Sequence, residues 1–535
     1  MKKYHTFTHM KRILLLSLML LTSILGTKAA ADDADGATIV KIAVSVKGKA
    51  TYPTNKRCGY ITADYGSGAS TLEVLASQNG KTLEMKLPSG SAVKFRGEAY
   101  HGWDFDGVAV TDDGIAKASF TANERTEYQC LAYTDFGTQY YRIPAIARNH
   151  RDELVAVYDV RECRNDVGFG EVDQAMRYSK DNGKTWSEET IIADGDASLG
   201  GNSFGLAYGD PAIGLDRESG AGVLITVSGQ TIYAYATATQ RPLIAMQKTT
   251  DGGHSWSTPV DITPQFWGSS GSMFQDGEHD GEGKFFAYAG FFGSGKILQS
   301  RIVKKGKYYR LYAALLVRGT GLRGAYVVYS DDMGETWNLL GGDATIQACK
   351  GSDEPKVEEL PNGSLVLSGR MQGGRCFNIW TYDKNSTTSG SWDNAVDSAL
   401  QPNGIKAMGN STNGELLIVW ANDAKTGVST PIALQSVPFG KGRFNVGLYY
   451  KVLDADKKYT PAEFASGWIK SSQVSTTSSA YSTMCLQADN RIAFFYEEGP
   501  SIYEMIYVPL DIERLTNHAY TTKKVGQSKL ILPTR

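Results

Sequence analysis

Short runs in which apolar and polar residues alternate, bounded by Gly, Asn and Asp, recur along most of this chain. Clear examples are Leu154–Val160, Gly324–Ser330, Leu416–Ala421 and Arg491–Glu497. Alternation with a period of two predicts half-buried β-strands, and the high glycine and aromatic content fits many tight turns. Helical periodicity is scarce by comparison. We therefore expect an all-β protein.

A five-point frame of Ser/Thr, Asp, Gly, Thr/Ser and Trp follows three of the predicted strands. Its copies are Ser179–Trp186, Thr249–Trp256 and Ser330–Trp337, and an interrupted fourth copy runs from Thr381 and Asp383 to Gly390–Trp392. In each copy we expect the aspartate to accept hydrogen bonds from a turn, the glycine to adopt positive φ, and the tryptophan to bury at the start of the next strand. Recurrence of one structural unit at long intervals predicts a β-propeller.

The N-terminus has the layout of a secretory signal peptide. Lys11 and Arg12 precede the apolar run Ile13–Leu21, and the small residues Ala29–Ala31 follow it. We assign residues 1–31 to this signal and expect an exported protein, periplasmic or secreted; the alternative is an uncleaved anchor. No later segment approaches the roughly 20 apolar residues of a membrane span. We therefore expect no membrane span in the mature chain.

Residues 37–128 lack the repeated frame and contain strand-like runs of their own. We interpret them as a separate small β-domain, which either binds carbohydrate or braces the remainder of the protein. Tyr100, Trp103 and Phe105 have the chemistry of a sugar-stacking platform. A core cluster is the simpler interpretation, and we favour it.

Composition and motif spacing argue against several other classes of protein. A formal net charge of −2 does not fit a nucleic-acid-binding surface. The six cysteines form no C-x-x-C pair and the seven histidines no H-E-x-x-H motif, so we expect no metal and no cofactor. The six cysteines allow disulfides, but their spacing does not indicate which would pair. The two Gly-Lys-Thr triplets are not P-loops, because Leu75 and Tyr178 stand where the first glycine would be.

The repeated frame resembles the Asp-box of bacterial exo-sialidases of the glycoside hydrolase family 33 type. The run Tyr141–Pro144, "YRIP", resembles that family's signature at the start of its propeller. The resemblance covers the chain from about Tyr133 to the C-terminus. It implies a six-bladed β-propeller over residues 133–535, preceded by the small N-terminal β-domain. We expect a monomer whose partners are sialylated glycans, with no nucleic acid among them.

Motifs of this family identify the expected carboxylate-binding residues in this chain. The first arginine of the family's triad corresponds to Arg142 in "YRIP". The run "DEPKVEELPNGSLVLSGR" matches the pattern that holds a catalytic glutamate and the second arginine, which are Glu354 and Arg370 here. The third arginine is less well marked, and Arg443 in "FGKGRFNVGLY" is the best candidate. The resemblance also makes Glu497 the residue that orients the first arginine.

The resemblance likewise assigns the proton-transfer and nucleophilic residues. The acid/base aspartate follows an Asp-x-Arg strand end that includes Arg161, which makes it Asp166. Asp173 is the alternative, although its place in the strand before the first Asp-box favours a structural role. The family's tyrosine nucleophile corresponds to Tyr481 in "AYSTM".

These assignments imply a retaining exo-α-sialidase that uses a tyrosyl intermediate. Arginine suits the substrate carboxylate because its guanidinium stays charged and binds in a planar fork. A neutral phenol avoids bringing an anion to a carbon that already carries a carboxylate, but it needs a base such as Glu354. The alternatives are an intramolecular or transferring trans-sialidase and a non-catalytic lectin. The sequence does not indicate which linkage of sialic acid to the glycan is preferred. We expect the insertion Gln265–Lys296 to border the pocket.

Overall fold

A computed structural model describes most of the chain in two compact units, Met1–Thr126 and Glu127–Arg535. The described residues are 37–49, 57–89, 92–100, 102–112, 114–123, 127–133, 140–275, 277–279, 283–320, 323–410, 412–499 and 502–523. The predicted signal peptide lies outside them. None of the helices within these ranges is both long and apolar enough to span a bilayer. All six cysteines fall within the described ranges and are free thiols.

The first unit consists of two small sheets. Its strands are β1 (Ala37–Lys47), β2 (Arg57–Asp64), β3 (Ala69–Leu75), β4 (Thr82–Pro88), β5 (Lys94–Ala99), β6 (Trp103–Val110) and β7 (Ala116–Ala122). One sheet has the order β4-β1-β7-β6 and the other β3-β2-β5. Tyr100 and Trp103 are buried at 1% and 3% exposure, and Phe105 packs on Phe120. The core interpretation is therefore confirmed for Tyr100 and Trp103, and Phe105 is half-buried.

The second unit contains the remaining strands, arranged almost entirely as antiparallel sheets. They are β8 (Gln129–Ala132), β9 (Tyr141–Arg148), β10 (Leu154–Val160), β11 (Asp173–Ser179), β12 (Thr190–Ala193), β13 (Tyr208–Leu215), β14 (Gly222–Ser228), β15 (Leu243–Thr249), β16 (Val260–Asp261), β17 (Gly277–His279), β18 (Gly283–Phe292), β19 (Gly295–Lys296), β20 (Leu298–Lys305), β21 (Tyr308–Thr320), β22 (Arg323–Ser330), β23 (Asn338–Leu339), β24 (Cys349–Lys350), β25 (Asp353–Glu359), β26 (Leu365–Tyr382), β27 (Gly390–Trp392), β28 (Val396–Asp397), β29 (Lys406–Asn410), β30 (Leu416–Asp423), β31 (Ser429–Pro438), β32 (Val446–Val452), β33 (Ile469–Gln473), β34 (Ser479–Leu486), β35 (Ile492–Glu498), β36 (Glu504–Leu510) and β37 (Tyr520–Thr522). Two short helices, α1 (Pro461–Ala465) and α2 (Ile512–Leu515), and 3₁₀ turns at Tyr233–Tyr235, Thr263–Gln265 and Ser398–Leu400 connect them.

These strands form a closed ring of sheets, which confirms the all-β propeller prediction. Described residues form six sheets in this unit, built in chain order around β9–β12, β13–β16, β18–β23, β25–β27, β30–β33 and β34–β36. Apolar side chains pack each sheet on the next, and Phe495 of the last sheet packs on Tyr158 of the first. Strand β8 completes the last sheet by pairing with β36, so the start of the unit is joined to its end. The number of blades in the whole ring stays a prediction.

The three complete Asp-boxes have the turn geometry that their sequence predicts. In the second copy, Asp251 accepts hydrogen bonds from the Ser255 amide at 3.0 Å and from the Ser255 hydroxyl at 2.6 Å. Gly253 has φ of +90°, and the corresponding glycines Gly183 and Gly334 have φ of +82° and +85°. Trp256 packs against the core between the first two sheets.

Two details of the repeat prediction were wrong. The outer strand after the first and second boxes starts at Thr190 and Val260, so Trp186 and Trp256 precede it rather than begin it. In the interrupted fourth copy, Gly390 belongs to β27 and is not among the positive-φ glycines. The residues inserted after Asp383 form the hairpin turn themselves, which removes the need for a left-handed glycine at Gly390.

An Asp-box aspartate is expected to make stability depend on pH. Partial burial raises the pKa of Asp251, but hydrogen bonds from Ser255 and Thr249 outweigh it and lower the pKa to about 2. Because the folded-state pKa is depressed, this contribution is present above about pH 4 and is lost as pH falls through about 2. We expect Asp251→Asn to lower the melting temperature by about 2–4 °C at pH 7. The difference from wild type should shrink below pH 4.

Thermal unfolding followed by circular dichroism between pH 2 and pH 8 measures this effect. Glu188→Gln, at an exposed position in the same unit, provides the matched loss of one carboxylate and should leave the melting temperature nearly unchanged. A deficit for Asp251→Asn that is the same at pH 2.5 and pH 7 would show that ionisation of this carboxylate does not stabilise the turn.

Candidate active site

Several of the predicted site residues lie where strands of different sheets change register. The pairing shifts between Val157 and Asp159 on β10, between Asp353 and Lys356 on β25, and between Ser479 and Ser482 on β34. A bulge adds a residue to one strand and re-aims the side chains beside it. Glu354 and Tyr481 lie within two of these bulges. The sheets therefore present their polar residues to a common cavity at these irregular points.

This cavity has a volume of about 280 Å³, near the lower end of small-molecule sites, which run from about 300 to 1,000 Å³. Six of the eight predicted site residues line it, and these are Arg142, Asp166, Glu354, Arg370, Arg443 and Tyr481. The other two, Arg161 and Glu497, are buried and contact lining residues. Gly290 and Phe291 also line the cavity, so the insertion Gln265–Lys296 borders it as predicted.

Tyr481, Glu354 and Arg370 form a directly connected cluster in the cavity wall. The Tyr481 hydroxyl donates a short hydrogen bond to the Glu354 carboxylate. Arg370 Nη1 lies 2.8 Å from Glu354 Oε2 and 3.2 Å from the Tyr481 hydroxyl oxygen. Burial and the Glu354 charge raise the pKa of Tyr481 well above its usual range, although Arg370 and Arg443 oppose that shift. The phenol is thus neutral near pH 7 and has a carboxylate in place to accept its proton.

The three predicted arginines surround the Tyr481 ring. The guanidinium carbons of Arg142 and Arg443 lie 5.4 Å and 5.2 Å from the ring centroid, and Arg370 contacts the hydroxyl. Each of the three lies in a different sheet or connection, so the ring closure brings them together. Three guanidinium groups around one cavity create a strong site for a carboxylate ligand.

Glu497 fixes the position of Arg142 and of the backbone beside it. Its carboxylate is fully buried and accepts hydrogen bonds from Arg142 Nε at 2.7 Å, from the Ile143 amide at 2.8 Å and from the Tyr481 amide at 3.1 Å. Ile143 has φ of +54°, a conformation that is an outlier for a β-branched residue. The Glu497 hydrogen bond to its amide helps maintain this strained turn, which directs the neighbouring Arg142.

Asp166 lies in the connection between β10 and β11, at the open side of the cavity. Its side chain is 68% exposed and one oxygen lies 2.9 Å from Arg161 Nη1. Arg161 is itself fixed by Asp159 at 2.8 Å. The alternative acid/base residue, Asp173, does not line the cavity, is buried, and accepts a hydrogen bond from the Gly195 amide. This placement fits the structural role that its sequence position favours.

Three titratable residues of the cavity lining were not predicted from the sequence, and these are Asp210, Tyr233 and Asp353. Asp210 has φ of +56°, and its side chain lies 3.4 Å from Arg161. Burial and the Asp159 charge raise the pKa of Asp210 well above its usual range, whereas Arg161 opposes the shift. Tyr233 packs edge-on against Phe291 to form an apolar wall. Only Asp353, next to Glu354 in its motif, carried a usable sequence signal.

One cluster of carboxylates in the described ranges has the spacing of a cation site. Ligand atoms of Glu171, Asp173 and Asp194 lie within 4.8 Å of one another. Asp173 and Glu171 already accept hydrogen bonds from the amides of Gly195 and Ala197. None of the three lines the cavity.

The ring of sheets defines a β-propeller, and several of its sheets supply polar residues to the cavity. Residues 153–462, more than half of the chain, match the family model described as "BNR repeat-like domain", and the chain belongs to this family.

Two curated relatives are sialidases. That of Micromonospora viridifaciens is 29% identical over 252 residues, which are 43% of this chain and 32% of the relative. That of Bacteroides fragilis is 24% identical over 251 residues, covering 44% of this chain and 40% of the relative. The matches thus span well under two thirds of either relative's length.

Solved structures show the same fold at low sequence identity. The leech intramolecular trans-sialidase complexed with 2,7-anhydro-Neu5Ac superposes with a TM-score of 0.56 at 15% identity, covering 90% of this chain and 95% of that one. Trypanosoma rangeli sialidase in complex with 2,3-difluorosialic acid, described as a covalent intermediate, has a TM-score of 0.51 at 16% identity, covering 78% of this chain and 60% of that one. These likenesses establish the fold.

Proposed function

We propose that this protein is a retaining exo-α-sialidase that hydrolyses terminal sialic acid from glycoproteins, glycolipids and oligosaccharides. The observation that carries the proposal is the hydrogen bond from the Tyr481 hydroxyl to Glu354 inside a cavity that three arginines line. The family membership and the two sialidase relatives support it.

Substrate recognition begins with the carboxylate on the anomeric carbon. Arg142, Arg370 and Arg443 bind this group, because guanidinium forms charge-assisted and bidentate hydrogen bonds with carboxylates. Their positions around Tyr481 bring the anomeric carbon close to the phenol oxygen. The cavity holds the sugar at the end of a glycan chain, and Asp210 offers a hydrogen-bonding group to its hydroxyls.

Bond cleavage then proceeds in two steps at the same carbon. Tyr481 attacks the anomeric carbon while Glu354 takes the phenol proton, and Asp166 protonates the departing glycosidic oxygen. Asp166 next removes a proton from water, which attacks the anomeric carbon and displaces the Tyr481 oxygen, and Glu354 returns its proton to the departing phenol oxygen. Two displacements give net retention, and sialidases are an exception among glycosidases in using tyrosine rather than a carboxylate. The exposure of Asp166 suits its contact with the leaving group and with water.

Export of the protein remains part of the proposal. It is supported by the basic residues, apolar run and small residues of the N-terminal 31 positions, and it would bring the enzyme to extracellular or periplasmic glycans. Mass determination of the protein recovered from the periplasm and from the medium of expressing cells identifies the cleavage site and the compartment.

A proton NMR time course with 3′- and 6′-sialyllactose tests the proposed reaction. The H3 signals of α-sialic acid should appear first and convert slowly to those of the β-anomer, and the faster substrate reveals the linkage preference. First appearance of the β-anomer would contradict retention. An anhydro product would identify an intramolecular trans-sialidase, and unchanged substrate with a folded protein would favour a sialic-acid-binding lectin.

A further inference from the structure

The strand that carries Tyr481 has one open edge. Strand β34 stands at the end of the sheet order β34-β35-β36-β8, and among the described strands its sheet partner is β35. Its pairing with β35 shifts between Ser479 and Ser482, so Tyr481 lies inside a bulge. Bulges and open edges leave backbone N–H groups without a partner in the sheet, and a buried N–H group then needs another acceptor. The position of Tyr481 therefore depends on the acceptors that these amides find.

Two buried side chains accept hydrogen bonds from consecutive amides of this bulge. Glu497 accepts from the Tyr481 amide at 3.1 Å, and Asn413 Oδ1 accepts from the Ser482 amide at 3.2 Å. Glu497 belongs to the adjacent strand β35. Asn413, in contrast, lies in the connection between β29 and β30, which belong to other sheets. Asn413 thus joins the strand of the proposed nucleophile to another part of the ring.

The side chain of Asn413 is completely buried and fixed at both of its terminal atoms. Its Nδ2 donates to the Ser294 hydroxyl at 3.2 Å, and its Oδ1 also accepts from the Gly414 amide at 2.6 Å. Gly414 has φ of +53°, and a β-carbon there would clash with the Ser436 carbonyl oxygen. The turn therefore requires glycine after Asn413, and this turn sets the direction of the asparagine side chain.

Arg375 holds the backbone of the same turn. Its side chain is fully buried, and its Nη1 donates to the carbonyl oxygens of Thr412 and Asn413 at 2.9 Å and 2.8 Å. Its Nε and Nη2 donate to the hydroxyl and the carbonyl oxygen of Ser368, both at 2.9 Å. Ser368 and Arg375 lie on β26, the strand that also carries Arg370. Hydrogen bonds therefore connect the strand of a carboxylate-binding arginine, through Asn413, to the strand of the nucleophile.

We propose that Asn413 is a positioning residue that holds the β34 bulge so that the Tyr481 hydroxyl stays on Glu354. The inference rests on the proposed function, in which Tyr481 attacks the anomeric carbon. Asn413 is not among the described residues that line the cavity, so its replacement leaves the three arginines in place. The rate of attack depends steeply on the placement of the attacking atom, whereas carboxylate binding depends on the arginines.

Steady-state kinetics of Asn413→Ala on an aryl α-sialoside test this inference. We expect kcat to fall by at least about tenfold, because a misplacement of about 1 Å can cost about 10²-fold. The KM, and the inhibition constant of free sialic acid, should change by less than about threefold, because both report on the arginines. The Ser482 hydroxyl keeps its hydrogen bond of 2.8 Å with Ser436, so β34 stays attached to the neighbouring sheet.

Asn413→Asp tests whether the acceptor oxygen is what positions the strand. A carboxylate keeps an oxygen for the Ser482 and Gly414 amides, and the Ser294 hydroxyl can turn to donate to it. Arg375, which donates to the backbone of the same residue, offsets the added charge. We expect this variant to retain at least about a third of the wild-type kcat.

Asn378→Ala is the matched control for the loss of a buried asparagine. Asn378 is 1% exposed, and its side chain bonds the carbonyl oxygens of Ala348 and Asp393 and the Ile379 amide, none of which belongs to β34. Its replacement should lower the melting temperature about as much as Asn413→Ala does, which thermal unfolding followed by circular dichroism measures. Its kcat should stay within about threefold of wild type.

Three results would overturn the inference. These are a kcat of Asn413→Ala within about threefold of wild type, a loss expressed mainly in the KM, and an equal loss of kcat in Asn378→Ala or in Asn413→Asp. If circular dichroism shows that Asn413→Ala does not fold, Asn413→Leu replaces it, because leucine fills a similar volume without an acceptor. Wild type that turns over no sialoside would instead contradict the proposed function itself.

Discussion

Replacing Tyr481 by phenylalanine is expected to lower kcat on an aryl α-sialoside by at least about 10³-fold. The change removes the hydroxyl oxygen, which donates a hydrogen bond to Glu354 and lies 3.2 Å from Arg370. It keeps the aromatic ring between Arg142 and Arg443. Binding of the substrate carboxylate depends on the arginines, so the KM should change by less than about threefold. Steady-state kinetics of the purified variant measure both quantities.

Tyr503→Phe provides the matched control for this variant. Tyr503 also lies against Arg142, with its ring centroid 5.1 Å from the guanidinium carbon. The hydrogen bond to Glu354, however, is donated by Tyr481. We expect its kcat to fall by less than about tenfold, since no covalent step depends on its oxygen. Equal losses in the two variants, or an unchanged kcat for Tyr481→Phe, would make the nucleophile assignment wrong.

Replacing Glu497 by glutamine is expected to lower kcat/KM by about 10²-fold, chiefly through a higher KM. Glu497 satisfies three donors at once, and the amide of glutamine can accept with only one of its two terminal atoms. Arg142 then loses its charged partner, and the Tyr481 amide loses its acceptor when the amide oxygen of the glutamine serves Arg142 and Ile143. Each tenfold loss corresponds to about 1.4 kcal/mol, so about 10²-fold is the expected cost of one or two charge-assisted hydrogen bonds.

The same variant is expected to change how stability depends on pH. Burial raises the pKa of Glu497, but Arg142 and the hydrogen bonds it receives outweigh burial and lower it. Its contribution to stability is therefore present above the ordinary glutamate pKa of about 4.3 and is lost as pH falls through the lower folded-state value.

Glu498→Gln, at the next buried carboxylate on β35, is the control for the KM effect and should lower stability without raising the KM. Raised KM values for both variants would contradict a specific role for Glu497.

Local patterns in the sequence predicted the repeating parts of this fold well. Strand β10 has the predicted bounds, and the Asp-box turns have the predicted glycine conformation. Both depend on residues within a few positions of one another. The ring closure by β8 was not predicted, because its pairing with β36 joins residues more than 370 positions apart and the short run Gln129–Ala132 has no distinctive pattern.

A site residue was predictable from the sequence when it belongs to a recognisable motif. It was not predictable when only the folded structure brings it to the cavity. Arg142, Glu354 and Tyr481 occur in recognisable runs, and the structure brings them to one cavity. Asp210 occurs in no such run, and it reaches the cavity because of a register shift in β13 between Gly209 and Ala212. A bulge of this kind depends on pairing between strands, which local sequence does not specify.

The buried residue Lys356 illustrates a third situation. Lys356 is visible in the sequence as part of "DEPKVEEL", where it reads as an ordinary charged residue of a strand. It is buried with Glu415, which directly precedes β30, and with Thr483 on β34. Only the assembled ring shows that this cation is buried beside Glu415.

The central claim is that Tyr481 forms a covalent bond with the anomeric carbon of sialic acid. The most direct measurement is mass spectrometry of the protein after reaction with 2,3-difluorosialic acid, in which the 2-fluoride leaves and the 3-fluorine slows breakdown of the adduct. We expect a single fluorosialyl adduct that peptide mapping places on Tyr481 and that is absent from Tyr481→Phe. An adduct on another residue, or none in a preparation that cleaves sialyllactose, would contradict the account.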